Sequence, residues 1–449
     1  MVYPAYSCKK NTVRNLILLF LGILISCSLS AQESPEFMAL KKYYINQPNI
    51  KLADTNWLVS MIDTGGINYL LPIRQSIQRE KNKAVIDTPT HRDMLADAIC
   101  RLTDYRTTLF YEKQSFHPLT NPEQQSIQNM AGIFEKATRT DAAKVLYQEA
   151  AKHRVTMINA SYLKPATYAW IAGLLDSLYK MGYKHLALEI LGKSNKPIQQ
   201  VSLKEGIFIT EPAIAECIRK AIAIGFQVIS CQPDYSREKP NEIHKLQAAK
   251  LGEYIQAQPG NEKCLLITQP GNNALAYEDP EDVPMGVYLS AWLNEKPASF
   301  DQCFLTENSI NEYGAFLYAL LQYKQPVFQA TIPQINGKPI KALEEELYTA
   351  MIWHPTATYT NNRPAWMNLQ GWKKEMEIPA AYKNSFLVQA YYLDELSKQK
   401  TGTCIPADQT YQAAANGLYY LYLHKGKYRI IYRNKEYAIL GYQDIEVNK

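Results

Sequence analysis

Between residues 154 and 330, short apolar segments alternate with longer stretches that have helical periodicity. The apolar segments span residues 155–158, 186–190, 226–230 and 264–267. They are almost uniformly apolar, which is typical of strands that are buried on both faces of a parallel sheet. Because a helix separates each strand from the next, helices can cover both faces of such a sheet. The sequence therefore predicts an α/β fold over residues 153–330, a three-layer sandwich around a mainly parallel sheet.

Glycine and proline mark the ends of the intervening helices. A helix predicted over 167–181 ends at Gly182. Glycine is common there because the residue that ends a helix often has a left-handed backbone conformation. A second predicted helix begins at Pro212, in the first turn where the missing N–H costs nothing, and ends before Gly225. Two further helices are predicted over 241–256 and 283–293.

The segments on either side of the α/β core have different patterns. Residues 32–152 have helical periodicity, for example over 95–102 and 124–151, and predict a helical N-terminal region. Residues 331–449 form a C-terminal extension with strand-like runs at 386–392, 418–423, 427–432 and 437–440. The turn-forming sequence at 433–436 joins the last two runs, which predicts a hairpin in a small β-rich module.

The first residues have the composition of a targeting segment. Lys9, Lys10 and Arg14 precede an uncharged apolar run over 16–25, and a serine-rich stretch over 26–31 follows it. This order is typical of a secretory signal peptide. The run of about ten residues is well below the roughly 20 that a membrane-spanning helix needs. We predict that residues 1–31 are a signal peptide and that the protein is exported, to the periplasm or the medium.

Two processing routes stay open. Cleavage near Ala31 places Ser28 and Ser30 at the small-residue positions that signal peptidase requires, and we favour it slightly. Alternatively, residues 24–27 (LISC) resemble a lipobox, in which Cys27 would carry a lipid. A membrane is expected as a partner only through that lipid.

Charge and cysteine content narrow the classes of function. The net charge is +5 over 449 residues and is not concentrated in a basic arm, so we predict no nucleic-acid partner. The six cysteines after the predicted signal are widely spaced without a CxxC pair, which excludes a zinc ribbon. One or two disulfides are compatible with export, but most of these cysteines are expected to be buried as small apolar groups. We expect no metal site.

Tyrosine is unusually frequent, at 32 residues against 12 phenylalanines. Lineage composition is the favoured explanation. The alternative is a binding surface for carbohydrate or another flat ligand, because tyrosine exposes apolar area together with a polar tip.

The predicted sheet nominates candidate site residues. Ligands of open α/β sheets bind beyond the carboxyl ends of the strands. The residues at or beyond the carboxyl ends of the predicted strands are 159–162, Glu189, 234–235 and 271–273. From them we predict ligand binding by Asn159, Tyr162, Asp234 and Asn273.

Several segments of this core resemble a known superfamily. In chain order they are VTMIN at 155–159, GYKHLALE at 182–189, GIFITEP at 206–212 and AIAIGF at 221–226. Their order and spacing resemble the erythromycin esterase-like and haem-uptake (ChaN/Tiki-like) superfamily over about residues 150–305. The resemblance implies an α/β core, hydrolysis of esters or binding of haem, and functional roles for Glu189 and Glu211.

The chain departs from the family pattern where the family carries its histidines. The expected Glu and His positions after the first strand appear here as Ala160, Tyr162 and Leu163. A later histidine is replaced in the segment 271–274. Without an imidazole, the obvious general base for ester hydrolysis at neutral pH is lost. We therefore expect a catalytically degenerate site.

Structural roles compete with functional ones for the remaining candidates. Glu189 ends a strand, where a salt bridge or a hydrogen bond to a loop is as common as ligand binding. Glu211 directly precedes Pro212 and could favour a helix N-terminus through its charge. His244 is expected to be solvated, and His354 to be structural.

Three hypotheses follow. The first is an exported, non-catalytic protein that binds a small molecule over Tyr162, Glu189, Glu211 and Asn273. The second is an active esterase-like hydrolase with Glu189, Glu211 and His244 as catalytic residues. The third is a haem- or porphyrin-binding protein, since a tyrosine such as Tyr162 can ligate haem iron. The first hypothesis is favoured, and no other cofactor is expected.

Overall fold

The computed structural model describes residues 32–50, 61–63, 66–81, 89–233, 240–277, 279–307, 309–340 and 347–448. The predicted signal peptide, with Cys27, lies outside the described residues, as does the predicted ligand-binding residue Asp234. Within the described ranges, no helix has the length and apolar character needed to cross a membrane.

The N-terminal region is mainly helical, as predicted. Its elements are α1 (Pro35–Ile45), β1 (Ile62–Asp63), β2 (Gly66–Ile67), α2 (Leu71–Lys81), α3 (Pro89–Arg101), α4 (Tyr105–Ser115), α5 (Asn121–Phe134), β3 (Thr138–Asp141) and α6 (Ala142–Lys152). Acidic side chains start two of these helices. Asp104 accepts a hydrogen bond from the N–H of Thr107 at 3.2 Å, and Asp141 accepts one from the N–H of Lys144 at 2.8 Å. These N-caps satisfy donors that a first helical turn leaves without partners.

Strands and helices alternate through the central region. Its elements are β4 (Val155–Asn159), α7 (Pro165–Lys180), β5 (Tyr183–Leu188), α8 (Pro212–Ile224), β6 (Gln227–Ser230), α9 (Pro240–Gln256), β7 (Lys263–Thr268), α10 (Met285–Leu293), β8 (Ala298–Leu305), α11 (Glu312–Lys324), β9 (Thr331–Ile335), β10 (Lys338–Pro339) and β11 (Ala350–Trp353). The four predicted strands and four predicted helices are all present. The predicted ends of α8 are also confirmed, with Glu211 as its N-cap and Gly225 as a left-handed C-cap with φ of 111°.

These strands form one nine-stranded sheet. Its order is β10–β9–β11–β8–β4–β7–β5–β6, and β3 also pairs with β9. The six strands from β11 to β6 are parallel, whereas β9 is antiparallel to β11, and β3 and β10 are antiparallel to β9. The sheet therefore takes strands from both sides of residues 153–330.

Helices cover both faces of the sheet. Alternate residues of β5, such as Leu186 and Leu188, pack in one apolar cluster with α6, α7 and α8. Ala187 between them packs in a second cluster with α9 and α10. On the β11 side, Met351 and Trp353 pack with α5 and α11. This alternation confirms the three-layer α/β architecture with a mainly parallel sheet.

The segment 124–151, which has helical periodicity in the sequence, also contains a short strand. Helix α5 ends at Phe134, and β3 separates it from α6. The β-branched Thr138 and Thr140 pair with β9, and the guanidinium of Arg139 lies 4.9 Å from the ring centroid of Trp353. Pairing with a strand almost 200 residues away thus overrides local helical periodicity.

The C-terminal region is β-rich, as predicted. Its elements are β12 (Tyr359–Thr360), β13 (Arg363–Pro364), β14 (Lys374–Ile378), β15 (Leu387–Tyr392), α12 (Leu393–Lys398), β16 (Asp408–Thr410), β17 (Tyr419–Leu423), β18 (Gly426–Arg433) and β19 (Ile439–Val447). Strands β16, β15, β18 and β19 form an antiparallel sheet in that order, and β14 pairs with β17. Antiparallel pairing of β18 with β19 confirms the predicted hairpin.

All six described cysteines are buried and have free thiols. They are Cys100, Cys217, Cys231, Cys264, Cys303 and Cys404. The expectation that most of them are buried as small apolar groups is confirmed.

A buried ion pair fastens the C-terminal region to the N-terminal helices. Arg363 donates to both carboxylate oxygens of Asp408 at 2.6 and 2.7 Å, and neither side chain is exposed. The guanidinium also donates to the hydroxyl of Thr103, which follows α3, and to the carbonyl of Gln409. Asp408 accepts a further bond from the N–H of Tyr422 in β17 at 2.6 Å. Four parts of the chain therefore meet at one pair of charges.

We expect Asp408→Ala to lower the free energy of unfolding by about 3–5 kcal/mol, because it leaves a buried guanidinium without its anion. Asp444→Ala is the matched control, since it removes the carboxylate of the exposed pair with Arg429. An exposed pair contributes about 1 kcal/mol or less. Urea denaturation of the two variants measures both values, and equal losses would contradict the role assigned to Asp408.

Candidate functional site

A cleft of about 750 Å³ opens at the carboxyl ends of β8 and β11. Its lining includes Thr306 and Glu307 after β8 and His354 after β11. Helices α4 and α6 and the start of α7 bound one side, and the segments 326–330 and 354–370 bound the rest. Residues from the N-terminal, central and C-terminal regions therefore form one concave surface. Its volume is within the range of small-molecule sites.

Aromatic side chains form much of the cleft wall. They are Tyr105, Tyr147, Trp170, Phe328, Tyr359 and Trp366. Trp366 packs on Tyr105 with ring centroids 4.6 Å apart, and Trp170 stands edge-on to His354 at 5.6 Å. Phe328 is 90% exposed, whereas phenylalanine is normally buried. The cleft thus presents apolar ring surface that the described protein does not cover.

A chain of hydrogen bonds behind the cleft fixes the protonation of His354. The side-chain N–H of Gln302 donates to the carbonyl of Asn159 at 2.7 Å, so the amide oxygen of Gln302 must face the imidazole. That oxygen lies 3.1 Å from Nε2 of His354. Because an amide oxygen only accepts, Nε2 carries the proton and Nδ1 keeps its lone pair.

The imidazole of His354 is held neutral. Burial lowers its pKa to about 4, since the charged form loses more hydration than the neutral one. Among the described residues, Nδ1 has no hydrogen-bond partner, and it is not among the buried polar atoms that lack one. Nδ1 is therefore open to solvent and available as an acceptor from the cleft.

Glu307 supplies a second acceptor. One carboxylate oxygen accepts from the N–H of Ala357 at 3.2 Å, and no described residue donates to the other. Burial raises the pKa of Glu307, and the ammonium groups of Lys113 and Lys164 oppose that rise. The carboxyl group thus lies in the cleft wall with one oxygen available to a ligand.

Charge in the cleft is low and slightly negative. Among its described lining residues, the charged side chains are Asp141, Lys164 and Glu307. The ammonium of Lys164 is 2.9 Å from the carboxylate of Glu112, so an adjacent acid already neutralises it. Nowhere in the described residues are three His, Cys, Asp or Glu side chains grouped to hold a metal ion.

Asn159 supports this cleft from behind. Its amide nitrogen donates to Asp301 at 2.7 Å, and its amide oxygen accepts from the N–H of Gln302 at 2.8 Å. The residue is buried and does not line the cleft. Asn159, a predicted ligand-binding residue, instead holds Gln302, which in turn orients His354.

Glu189 lies in a buried polar cluster away from the cleft. Its carboxylate accepts from the N–H of Gln269 and the amide of Asn272, both at 2.7 Å. Burial raises its pKa, and these bonds and nearby His244 oppose the rise. Both oxygens have internal donors, so Glu189 fastens the loop after β7 to the end of β5.

Glu211 has a different set of partners. One oxygen accepts from the N–H of Ile214 at 2.8 Å and caps α8, and the other accepts from the hydroxyl of Tyr105 at 2.5 Å. Burial raises its pKa to about 7, against the lowering effect of these bonds. Glu211 therefore has the role at a helix N-terminus that the sequence suggested as an alternative to catalysis. Glu211 also holds Tyr105, whose side chain lines the cleft.

The remaining candidates are engaged elsewhere. Nδ1 of His244 is 3.0 Å from the carbonyl of Val283. The amide of Asn273 donates to the carbonyl of Phe300 at 2.8 Å, and the half-buried ring of Tyr162 packs on Phe208 at 4.8 Å. The structure brings His244 near Glu189 but gives Glu211 separate partners. None of the described candidates lines the cleft.

Sequence reasoning missed the residues that do line it. His354 and Glu307 follow β11 and β8, neither of which was predicted as a strand. The same rule about strand carboxyl ends would have nominated both residues once those strands were assigned.

No protein-family model matches the chain, and no curated protein matches it significantly. One solved structure, described as "Bacterial protein toxins", is similar to 52% of this chain and 47% of that chain, with 11% identity and a TM-score of 0.29. A likeness of this size carries no argument about fold or function.

Glu211→Gln tests the buried carboxyl. In the unfolded chain the group titrates near 4.5, and in the fold near 7. Between those values the unfolded state loses its proton first, so stability falls as pH rises. The difference between the two pKa values corresponds to about 3 kcal/mol of unfolding free energy.

We therefore compare the unfolding free energy of the wild type with that of Glu211→Gln. The difference, wild type minus variant, should decrease by up to about 3 kcal/mol from pH 4.5 to 7. Chemical denaturation across that range measures the difference. The exposed Glu377 on β14 is the control, and Glu377→Gln should give a flat difference curve. A flat curve for Glu211→Gln would show that its carboxyl titrates normally.

Proposed function

We propose that this protein binds a small molecule in the cleft at the carboxyl ends of β8 and β11, without hydrolysing it. The observation that carries the proposal is the combination, in one open cavity, of exposed aromatic ring surface and two acceptors to which no described residue donates, Nδ1 of His354 and one oxygen of Glu307. Exposed apolar area of this kind is typical of ligand sites. The polar groups are few, and hydrogen bonds with Gln302 and Ala357 fix their positions. Fixed polar groups of this kind can orient a ligand.

A hydrolase built on Glu189, Glu211 and His244 has less support. The carboxylate oxygens of Glu189 and Glu211 already accept internal hydrogen bonds. Ala160, at the position where the resemblance expects an acid, is fully buried and cannot transfer a proton. These residues fit structural roles better than proton transfer to or from a substrate.

Haem binding through Tyr162 also has less support. A tyrosine ligates iron as the phenolate, and burial raises the pKa of Tyr162. Its ring packs on Phe208 instead of standing in the cleft. The residues around Tyr162 therefore do not fit an axial haem ligand.

Export is part of the same proposal. Its support is the sequence of residues 1–31, with the positive, apolar and serine-rich segments described above. A lipid on Cys27 would keep the protein at a membrane surface. The erythromycin esterase-like ancestry likewise stays a proposal that rests on the motif order.

Ala143→Trp tests whether the cleft is the binding site. Ala143 lies on α6 and lines the cleft, so an indole there should fill part of it. We expect at least one compound from a library of sugars, nucleosides, amino acids and fatty acids to raise the Tm of the wild type by about 2 °C or more. Ala143→Trp should abolish that shift.

Ala151→Trp is the matched control, because Ala151 is exposed on the same helix and does not line the cleft. It should keep the full shift in differential scanning fluorimetry. A stabilising compound whose effect survives Ala143→Trp would place the binding site elsewhere.

Glu189→Gln tests the degenerate site. We expect wild type and variant to hydrolyse p-nitrophenyl acetate at the same background rate, because Glu189 is held by internal donors. Absorbance of released p-nitrophenolate measures the rate. Turnover in the wild type that disappears in Glu189→Gln would establish the hydrolase instead.

A further inference from the structure

The cleft offers exposed aromatic ring surface and hydrogen-bond acceptors together. Trp170 and Trp366 are half-buried, and Phe328 is almost fully exposed, so part of each ring is available to a ligand. Aromatic rings contact the apolar face of another ring over a large area at low entropic cost. The first requirement on the ligand is therefore a flat apolar face.

The second requirement is hydrogen-bond donors. Nδ1 of His354 carries a lone pair, since Nε2 donates to Gln302. The free oxygen of Glu307 is also an acceptor. Leaving such acceptors unpaired in a bound complex would cost the ligand affinity. The fitting ligand therefore presents several O–H or N–H groups around its apolar face.

The third requirement is low charge. Asp141 and Glu307 line the cleft, and its only described lining cation, Lys164, is paired with Glu112. A phosphate or carboxylate on the ligand would meet like charge without a free cation to balance it. Nucleotides and organic acids therefore fit this cleft poorly.

We infer that the ligand is a neutral saccharide, whose pyranose ring stacks on the aromatic wall while its hydroxyls donate to Nδ1 of His354 and to Glu307. A pyranose has an apolar C–H face and a rim of hydroxyl donors, and it carries no charge. The inference rests on the proposed binding function of the cleft and specifies its ligand class. It also gives His354, which the sequence suggested was structural, a place in the binding site.

The test uses tryptophan fluorescence and isothermal titration with four neutral probes: maltohexaose, cellohexaose, xylohexaose and fully N-acetylated chitohexaose. We expect at least one to bind with a Kd between about 10 μM and 1 mM. Phe328→Ala should weaken that binding about five-fold and leave the Tm unchanged, because the side chain is 90% exposed. Tyr323→Ala is the matched control, since Tyr323 is exposed nearby but lies outside the cleft lining.

His354→Phe is the second variant. It retains a ring against Trp170 but removes Nδ1, and should weaken the same saccharide about ten-fold or more. Equal effects of Phe328→Ala and Tyr323→Ala, or no binding of any of the four hexasaccharides, would overturn the inference.

ADP and oleate, measured in parallel, separate this inference from the function on which it rests. Suppose that ADP or oleate binds, that Phe328→Ala weakens this binding, and that no hexasaccharide binds. The cleft is then a binding site, and the saccharide assignment is wrong. If the Ala143→Trp experiment also finds no cleft-dependent ligand, the binding function itself fails.

Discussion

A parallel sheet with helices on both faces leaves little water for the polar side chains at its strand ends. A buried polar group without a partner costs free energy, so these side chains must bond to one another. In this protein Asn159, at the end of the central strand β4, bonds to both Asp301 and Gln302 of β8. The amide oxygen of Gln302 in turn accepts a hydrogen bond from Nε2 of His354 after β11. The need to satisfy one buried amide thus determines which imidazole nitrogen faces the cleft.

The same constraint explains why the cleft lies towards β11. At the ends of β5 and β7, Gln269 and Asn272 each donate to one carboxylate oxygen of Glu189, so both oxygens have internal donors. At the carboxyl ends of β8 and β11, loops and helix ends bound the cleft instead. The cleft opens there, where backbone and side chains from three regions of the chain meet.

Local sequence was sufficient for the parts of the fold whose burial is uniform. The apolar runs at β4, β5, β6 and β7 and the glycine after α8 predicted those elements correctly. Strand β8 was missed because Asp301 and Gln302 interrupt its apolar pattern, although both are buried. Both residues are buried because they bond to Asn159, more than 140 residues earlier in the chain. A local sequence pattern around β8 cannot reveal that contact. The four residues of β11 are too few to distinguish a strand from a buried helical turn.

The candidate site was missed for the same reason, and Glu211 illustrates it. The sequence allowed Glu211 to be either a catalytic acid or a helix cap, and the structure shows it capping α8 while it holds the hydroxyl of Tyr105. Tyr105 in turn packs on Trp366, whose position follows from the segment around Arg363. Arg363 is anchored by Asp408 of the C-terminal sheet. The aromatic wall of the cleft is therefore assembled from helix α4 and the C-terminal region and fixed by two buried carboxyl groups. On this argument the β-rich module does more than extend the core, because without its buried ion pair one wall of the cleft would lose its support.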